Sequence, residues 1–324
     1  MPSLLKGLLA AAGNSNIVSP AADYFSPVLY TGNESARSIT SGIDNDLVIT
    51  KRLDDIGDYI FVDTQRGVGK TLNLVGRSAN TTDGDTVTAF STTGFSLGAD
   101  TKVNETAAEY LALTIKQHSG FFAIVSWTGN GASSRSISHS LGVAPEWWVS
   151  QNLNTGGSWY VYIKGVVYNH ANWWLNFMTL DGTHAAQSSS SFPAEPTSSV
   201  FTVAAFFNGN TVPFVAYMFA SLAEVSKVGA YTGTGGTLPI DAGFITPARF
   251  VLIKRIENSG PWYMYDSARG IVVGNDPHLL LNSTAAEVDS TDYIERNSDG
   301  FTLTAAGDAT VNISGQKYTY LAIA

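Results

Sequence analysis

The chain contains no cysteine. That excludes a disulfide framework and any thiolate zinc site, and sets no redox requirement on the compartment in which it folds. Charge is scarce as well: only 14% of the 324 residues are Asp, Glu, Lys or Arg, with 18 basic side chains against 27 acidic ones and a formal net charge of −9. Proteins that bind nucleic acid hold the phosphate backbone through Lys and Arg that displace counterions, so no nucleic-acid partner is expected. Long amphipathic helices are short of the residues that build them. The apolar run from Leu4 to Gly13 is too short to cross a bilayer as a helix, so no membrane span is expected. The same run has almost no positive flank, which argues against a secretory signal. It reads better as a docking peptide that presents Leu4, Leu5, Leu8 and Leu9.

What the chain does hold is glycine, aromatic residues at 11%, and a sentence written three times. Tyr30-Thr31-Gly32, Trp127-Thr128-Gly129 and Tyr231-Thr232-Gly233 open three stretches spaced 97 and 104 residues apart. Inside each, an apolar strand (47–52, 147–152, 250–255) is followed by a polar loop with a glycine (Gly57, Gly157, Gly260) and a second aromatic-rich strand, the pattern of a hairpin. A short alternating run follows at Gly94–Leu97, Val200–Val203 and Gly300–Leu303, and each stretch closes on an apolar strand. Repetition at this period sets the architecture. The expected fold is all-β, with three tandem β-sandwich-like repeats of about 95 residues after an extended N-terminal arm. The boundaries fall at 1–29 for the arm and at 30–120, 121–225 and 226–324 for the repeats. The links near His118–Gly120 and Glu224–Gly229 are short, which predicts domains that pack or form a semi-rigid rod; three in a row would be on the order of 100 Å long. Helix is expected only at Ala285–Val288 and in the N-terminal leucine run.

No catalytic or metal-binding constellation stands out. Gly67-Val68-Gly69-Lys70-Thr71 ends as a phosphate loop does, but Thr64 stands where the first glycine of that motif belongs. Asp63 with Arg66 recurs as Asp266 with Arg269 and reads as a turn brace. Lys51-Arg52 and Lys254-Arg255 read as solvated strand ends paired with acids of their own hairpins. The five histidines, His118, His139, His170, His184 and His278, never fall at metal-ligand spacing. No cofactor and no metal are expected. The middle repeat is crowded with aromatic residues. Its adjacent Trp147 and Trp148 must point to opposite faces of a strand, and Trp173-Trp174 repeats the pair. These four tryptophans are the candidate contact residues, either as interface packing or as platforms for sugar rings.

The leader Met1–Gly13 and the repeating unit, clearest in Tyr231-Thr232-Gly233, Pro247–Arg255, Trp262–Asp266, Gly300-Phe301 and the closing Tyr318–Ala324, resemble the tail-fibre and virion-surface proteins of tailed bacteriophages, especially those of aquatic and cyanobacterial hosts. The resemblance covers about nine-tenths of the chain. It implies a non-enzymatic structural protein of the virion, a short tail fibre docked by its N-terminal arm to other virion proteins. Such a fibre would form a homotrimer and contact a host-surface glycan or protein. A capsid decoration protein is the alternative. A glycan-cleaving tailspike would need two carboxylates about 5–10 Å apart, and no catalytic residue carries over from the resemblance.

Overall fold

A computed structural model describes residues 19–166 and 172–324. Leu4, Leu5, Leu8 and Leu9 lie outside them. The described residues are all-β, and each third of the chain builds a large antiparallel sheet with one strand order. In the first unit the order is Phe25–Thr31, Glu109–Ile115, Leu47–Arg52, Ile60–Asp63, Lys70–Asn73 and Thr81–Thr82. The second unit repeats it with Phe122–Thr128, Pro213–Phe219, Trp147–Asn152, Tyr160–Ile163, Asn176–Thr179 and Gln187–Ser188. The third does so with Ser226–Thr232, Lys317–Ile323, Phe250–Arg255, Trp262–Asp266 and Leu279–Leu280. The expected hairpins are present in all three. A smaller sheet covers the outer face of each. It has three strands in the first unit (Arg37–Thr40, Gly94–Leu97, Val87–Ser91) and in the third (Leu238–Asp241, Gly300–Leu303, Ile294–Asn297), but two in the second (Ser134–Ser138, Val200–Ala204).

The large sheets are buried on both faces, and for this reason their strands read as nearly unbroken apolar runs. Successive side chains point to opposite faces and so enter different cores. Leu111, Leu113 and Ile115 join one cluster while Tyr110 and Ala112 join another. Val215, Tyr217 and Phe219 alternate in the same way with Ala216 and Met218. The outward cores of the first two units are separate, whereas in the third unit the outward residues, Ile240, Phe301 and Leu303 among them, run on into the inward core. The inward core is common to all three units, and around its axis Leu47, Leu113, Val149, Phe219, Leu252 and Leu321 line a dry cavity of about 60 Å³.

The three units therefore do not stand in a row. They close into a ring through seams built alike. In each, a hairpin glycine donates its N–H to the neighbouring unit: Gly57 to the Thr284 carbonyl, Gly260 to Thr183 and Gly157 to Arg77, at 2.8–2.9 Å. In return the Leu53, Ile256 and Leu153 carbonyls accept from Glu287, Ala186 and Asn80. Unit one thus grips unit three, unit three grips unit two, and unit two grips unit one. Of the two arrangements that the short links allow, the packed one is found and not the rod, because the inward faces are too apolar to remain in water; burying one Leu or Phe side chain contributes about 1.5–3 kcal/mol.

Three further expectations change. The arm expected through residue 29 already belongs to the first sheet from Phe25, which is fully buried and pairs with Ile115. Residues 226–229 of the second link open a strand. Ala285–Val288 is extended, because the Glu287 N–H is taken by the seam and Val288 bridges to His278. The short helix lies instead at Thr101–Asn104, capped by the Asp100 carboxylate.

The recurring Tyr/Trp-Thr-Gly opening is a clamp. Its aromatic polar atom donates to a carbonyl across the unit: Tyr30 Oη to Val103 at 2.7 Å, Trp127 Nε1 to Phe207 at 2.9 Å, Tyr231 Oη to Val311 at 2.6 Å. The next residue after each acceptor is a fully buried asparagine, Asn104, Asn208 or Asn312. Its amide donates to two oxygens of the loops it holds, and its Oδ1 accepts from the N–H one residue past the repeated glycine. The glycine is required because a Cβ at Gly32, Gly129 or Gly233 would lie 2.1–2.4 Å from a backbone oxygen.

Candidate functional site

The second unit differs from its neighbours where its small sheet lacks a third strand. Aromatic side chains and the serine-rich loop 188–192 fill that place on the outer face. Phe192 packs edge-on against Trp148 at 5.4 Å and against Tyr162 at 4.2 Å. The single 3₁₀ turn Trp173–Leu175 then lays Trp173 edge-on to Trp148 at 5.7 Å, with Trp174 perpendicular to Trp173 at 6.1 Å. The Trp173 indole N–H donates to the Glu195 carboxylate at 3.1 Å. Beside it run Phe177 against Tyr160 at 5.3 Å and Tyr160 against Phe206 at 5.1 Å, with Phe206 57% exposed. Trp173, Trp174, Tyr160 and Phe177 are half-buried. Burial and, secondarily, Asp181 push the Tyr160 phenol above its ordinary pKa. Leu175 with Ser188, Ser189 and Ser190 lines an open depression of about 230 Å³ alongside.

This arrangement separates the four candidate tryptophans. Trp147 enters the common core between units and Trp148 the sandwich core, and both are closed to solvent. Trp173 and Trp174 stay on the surface as a right-angled pair. Phe206, some thirty residues further along the chain, packs on Tyr160 and Phe207 and not on the tryptophan pair; its Phe206-Phe207 doublet, following the alternating strand Val200–Ala204, was the available signal. Half-exposed rings rimmed by hydroxyls and one carboxylate can stack on an apolar face and hydrogen-bond its edge, the combination by which aromatic contact surfaces take up a ligand.

The other sequence candidates are structural. Gly67–Thr71 is a turn into the strand Lys70–Asn73, and Lys70 Nζ donates to Thr82 Oγ1 at 2.5 Å. Asp63 braces its turn by accepting from the Arg66 N–H and Nε, and Tyr217 of the second unit donates to the same carboxylate at 2.7 Å, which extends the brace across a seam. Asp266 and Arg269 repeat the brace, with Glu287 as the further acceptor. Lys51 and Lys254 are not solvated strand ends. Both are buried, and each Nζ donates to a carbonyl of the neighbouring unit, Thr284 for Lys51 and Thr183 for Lys254, at 3.2 Å. Burial lowers Lys51 to about 8 and Lys254 to about 7. Arg52 does pair with its hairpin, Nε to Asp54 at 2.9 Å. His118 stacks on Tyr24, His139 meets the Thr197 carbonyl, His184 meets Thr179 and His278 meets Thr291; His170 lies outside the described residues. Among the described residues no three His, Asp or Glu side chains are grouped to hold a metal ion, and no helix is long and apolar enough to cross a membrane.

Among the described residues the fold and this surface define an all-β protein of three sandwich units fused around one core, with an aromatic face on the second. Residues 20–324 match a family described as a domain of unknown function, DUF7483, and the chain belongs to that family. No curated protein matches it.

Proposed function

We propose that this is a non-enzymatic structural and adhesive protein of a phage particle, a short tail-fibre-like body that contacts the host surface. The observation that carries the reading is the half-exposed aromatic face of Trp173, Trp174, Tyr160 and Phe206 on one unit of an otherwise closed ring. Polarity of the body supports it. The strand starting at Phe25, the crossings from unit to unit at 116–121 and 220–225, and the last strand ending at Ile323 all lie at one end, the base, as the pairings Phe25 with Ile115, Phe122 with Phe219 and Ser226 with Ile323 require. The segment before residue 19 joins the body there, so docking by that segment leaves the clamped loops at the opposite end free. In this reading the ring already supplies three-fold packing within one chain. Association into a homotrimer falls to the base and the N-terminal residues.

The test is adsorption to host cells and binding to their isolated surface polysaccharide, with Trp173→Ala/Trp174→Ala and Phe206→Ser variants against the parent protein. Loss of binding of about tenfold or more with unchanged thermal unfolding supports the reading, because stacking on one exposed aromatic contributes about 1–2 kcal/mol. Unchanged adsorption, together with hundreds of copies per particle, would replace it with capsid decoration.

A further inference from the structure

At the base, between the turn Pro20–Asp23 and the loop 246–249 of the third unit, lies an open cleft of about 460 Å³. Two arginines line it, Arg249 and Arg296. A guanidinium carries five N–H donors in a planar fork. Here Arg249 places one of them on the Phe25 carbonyl at 3.1 Å, and Arg296 places its Nε on the Ile271 carbonyl at 3.0 Å. Among the described residues neither makes an ion pair with a carboxylate; Arg52, Arg66, Arg77 and Arg269 do, while Arg37, Arg135 and Arg255 donate to carbonyls instead. Next to them the buried hydroxyl of Thr246 has no partner, and Ser19 and Ser267 complete the polar wall. Half-burying a guanidinium without a counter-charge is costly. Burial holds Arg249 below its ordinary value, as an uncompensated cation requires.

We propose that this cleft binds an oxyanion, a carboxylate or phosphate group gripped by Arg249 and Arg296. A planar fork matches the two oxygens of such a group, and a hydrogen bond to an ionised partner is about twice as strong as a neutral one. The cleft stands against the chain's overall negative charge, so attraction is local. Because the site touches the strand start at Phe25, occupancy also ties the first unit to the third, at the closure of the ring.

Titration calorimetry of the full chain with inorganic phosphate and with succinate tests this, in the parent protein and in Arg296→Gln, Arg249→Gln and Arg249→Lys. Saturable binding that weakens with salt, and that Arg296→Gln reduces about tenfold or more with unchanged melting temperature, is the expected result. Arg296 is exposed and its substitution spares the fold. Arg249→Lys should retain part of the binding, as a point charge without the fork. Tighter binding of succinate identifies a carboxylate side chain or chain terminus as the natural group, and tighter binding of phosphate identifies a phosphate. Absence of saturable binding of both anions, or equal binding by Arg296→Gln, overturns the proposal.

Discussion

A single asparagine per unit shows how much one side chain can hold. Asn208 accepts from the Asn130 N–H and donates to the Asn130 side-chain oxygen and the Ala132 carbonyl, which closes one donor and two acceptors of the loop 130–132. Replacing it with alanine leaves buried backbone groups without partners, and the expected loss is about 1–3 kcal/mol, measurable as a lower midpoint in denaturant. Gly129→Ala should cost a similar amount by a different route, because the new Cβ meets the Gly209 carbonyl at 2.1 Å and the backbone must move. The glycine was legible in the sequence as a repeated letter. The asparagines were equally regular, since Asn104, Asn208 and Asn312 stand 104 residues apart, yet nothing local marks them. The residue that follows them differs in every unit, and only the tertiary closure gives them a role. Lys254 carries a pH signature. From about pH 7, its native value, toward the ordinary 10.5, the unfolded chain holds more protons than the native one, so stability rises with pH through that window. Below it, the burial of the charge is felt in full. Lys254→Gln, the side chain that the second unit uses at Gln151, should flatten that rise in thermal melts taken across the window.

Among the elements, the seam hairpins matter most. Their strands were legible, because a glycine-bearing polar loop between two apolar runs has few other solutions. Their use was not: Gly57, Gly157 and Gly260 look like turn residues, and around the acceptors Arg77, Thr183 and Thr284 a leucine three residues before (Leu74, Leu180, Leu281) and an alanine two after (Ala79, Ala185, Ala286) recur without marking a contact between units. Asp63 and Arg66 likewise read as a local brace, while the Tyr217 hydroxyl that joins them comes from 154 residues away. Arg66→Ala should strand the buried Asp63 carboxylate and cost about 3–5 kcal/mol. A double-mutant cycle with Tyr217→Phe should give a clear coupling energy, since the three groups share one network. Two independent effects would mean that the seam is not tied there. The aromatic face follows the same logic: the crowding of rings was visible, but which of them stay outside depends on a strand that the second unit lacks.

For the whole molecule, one shared core predicts one unfolding event. Calorimetry should give a single transition with equal calorimetric and van't Hoff enthalpies, where three independent domains would give a broadened or multiple one. Small-angle scattering of the folded body should return a radius of gyration near 20 Å, the scaling value for a compact chain of this length, and not the larger value of an extended row.

The ring also sets an order of events at the ribosome. The first unit emerges with its inward face uncovered, and the Lys51 amine waits for the Thr284 carbonyl, 233 residues downstream. Until then a large apolar surface stays without a partner of its own chain, the condition under which nascent proteins aggregate or recruit chaperones. Neighbouring chains on one message, each with the same open seam, would be chemically suitable substitutes for the missing unit. Arrival of the third unit is therefore the step at which the ring closes on its own chain or leaves its seam open to another.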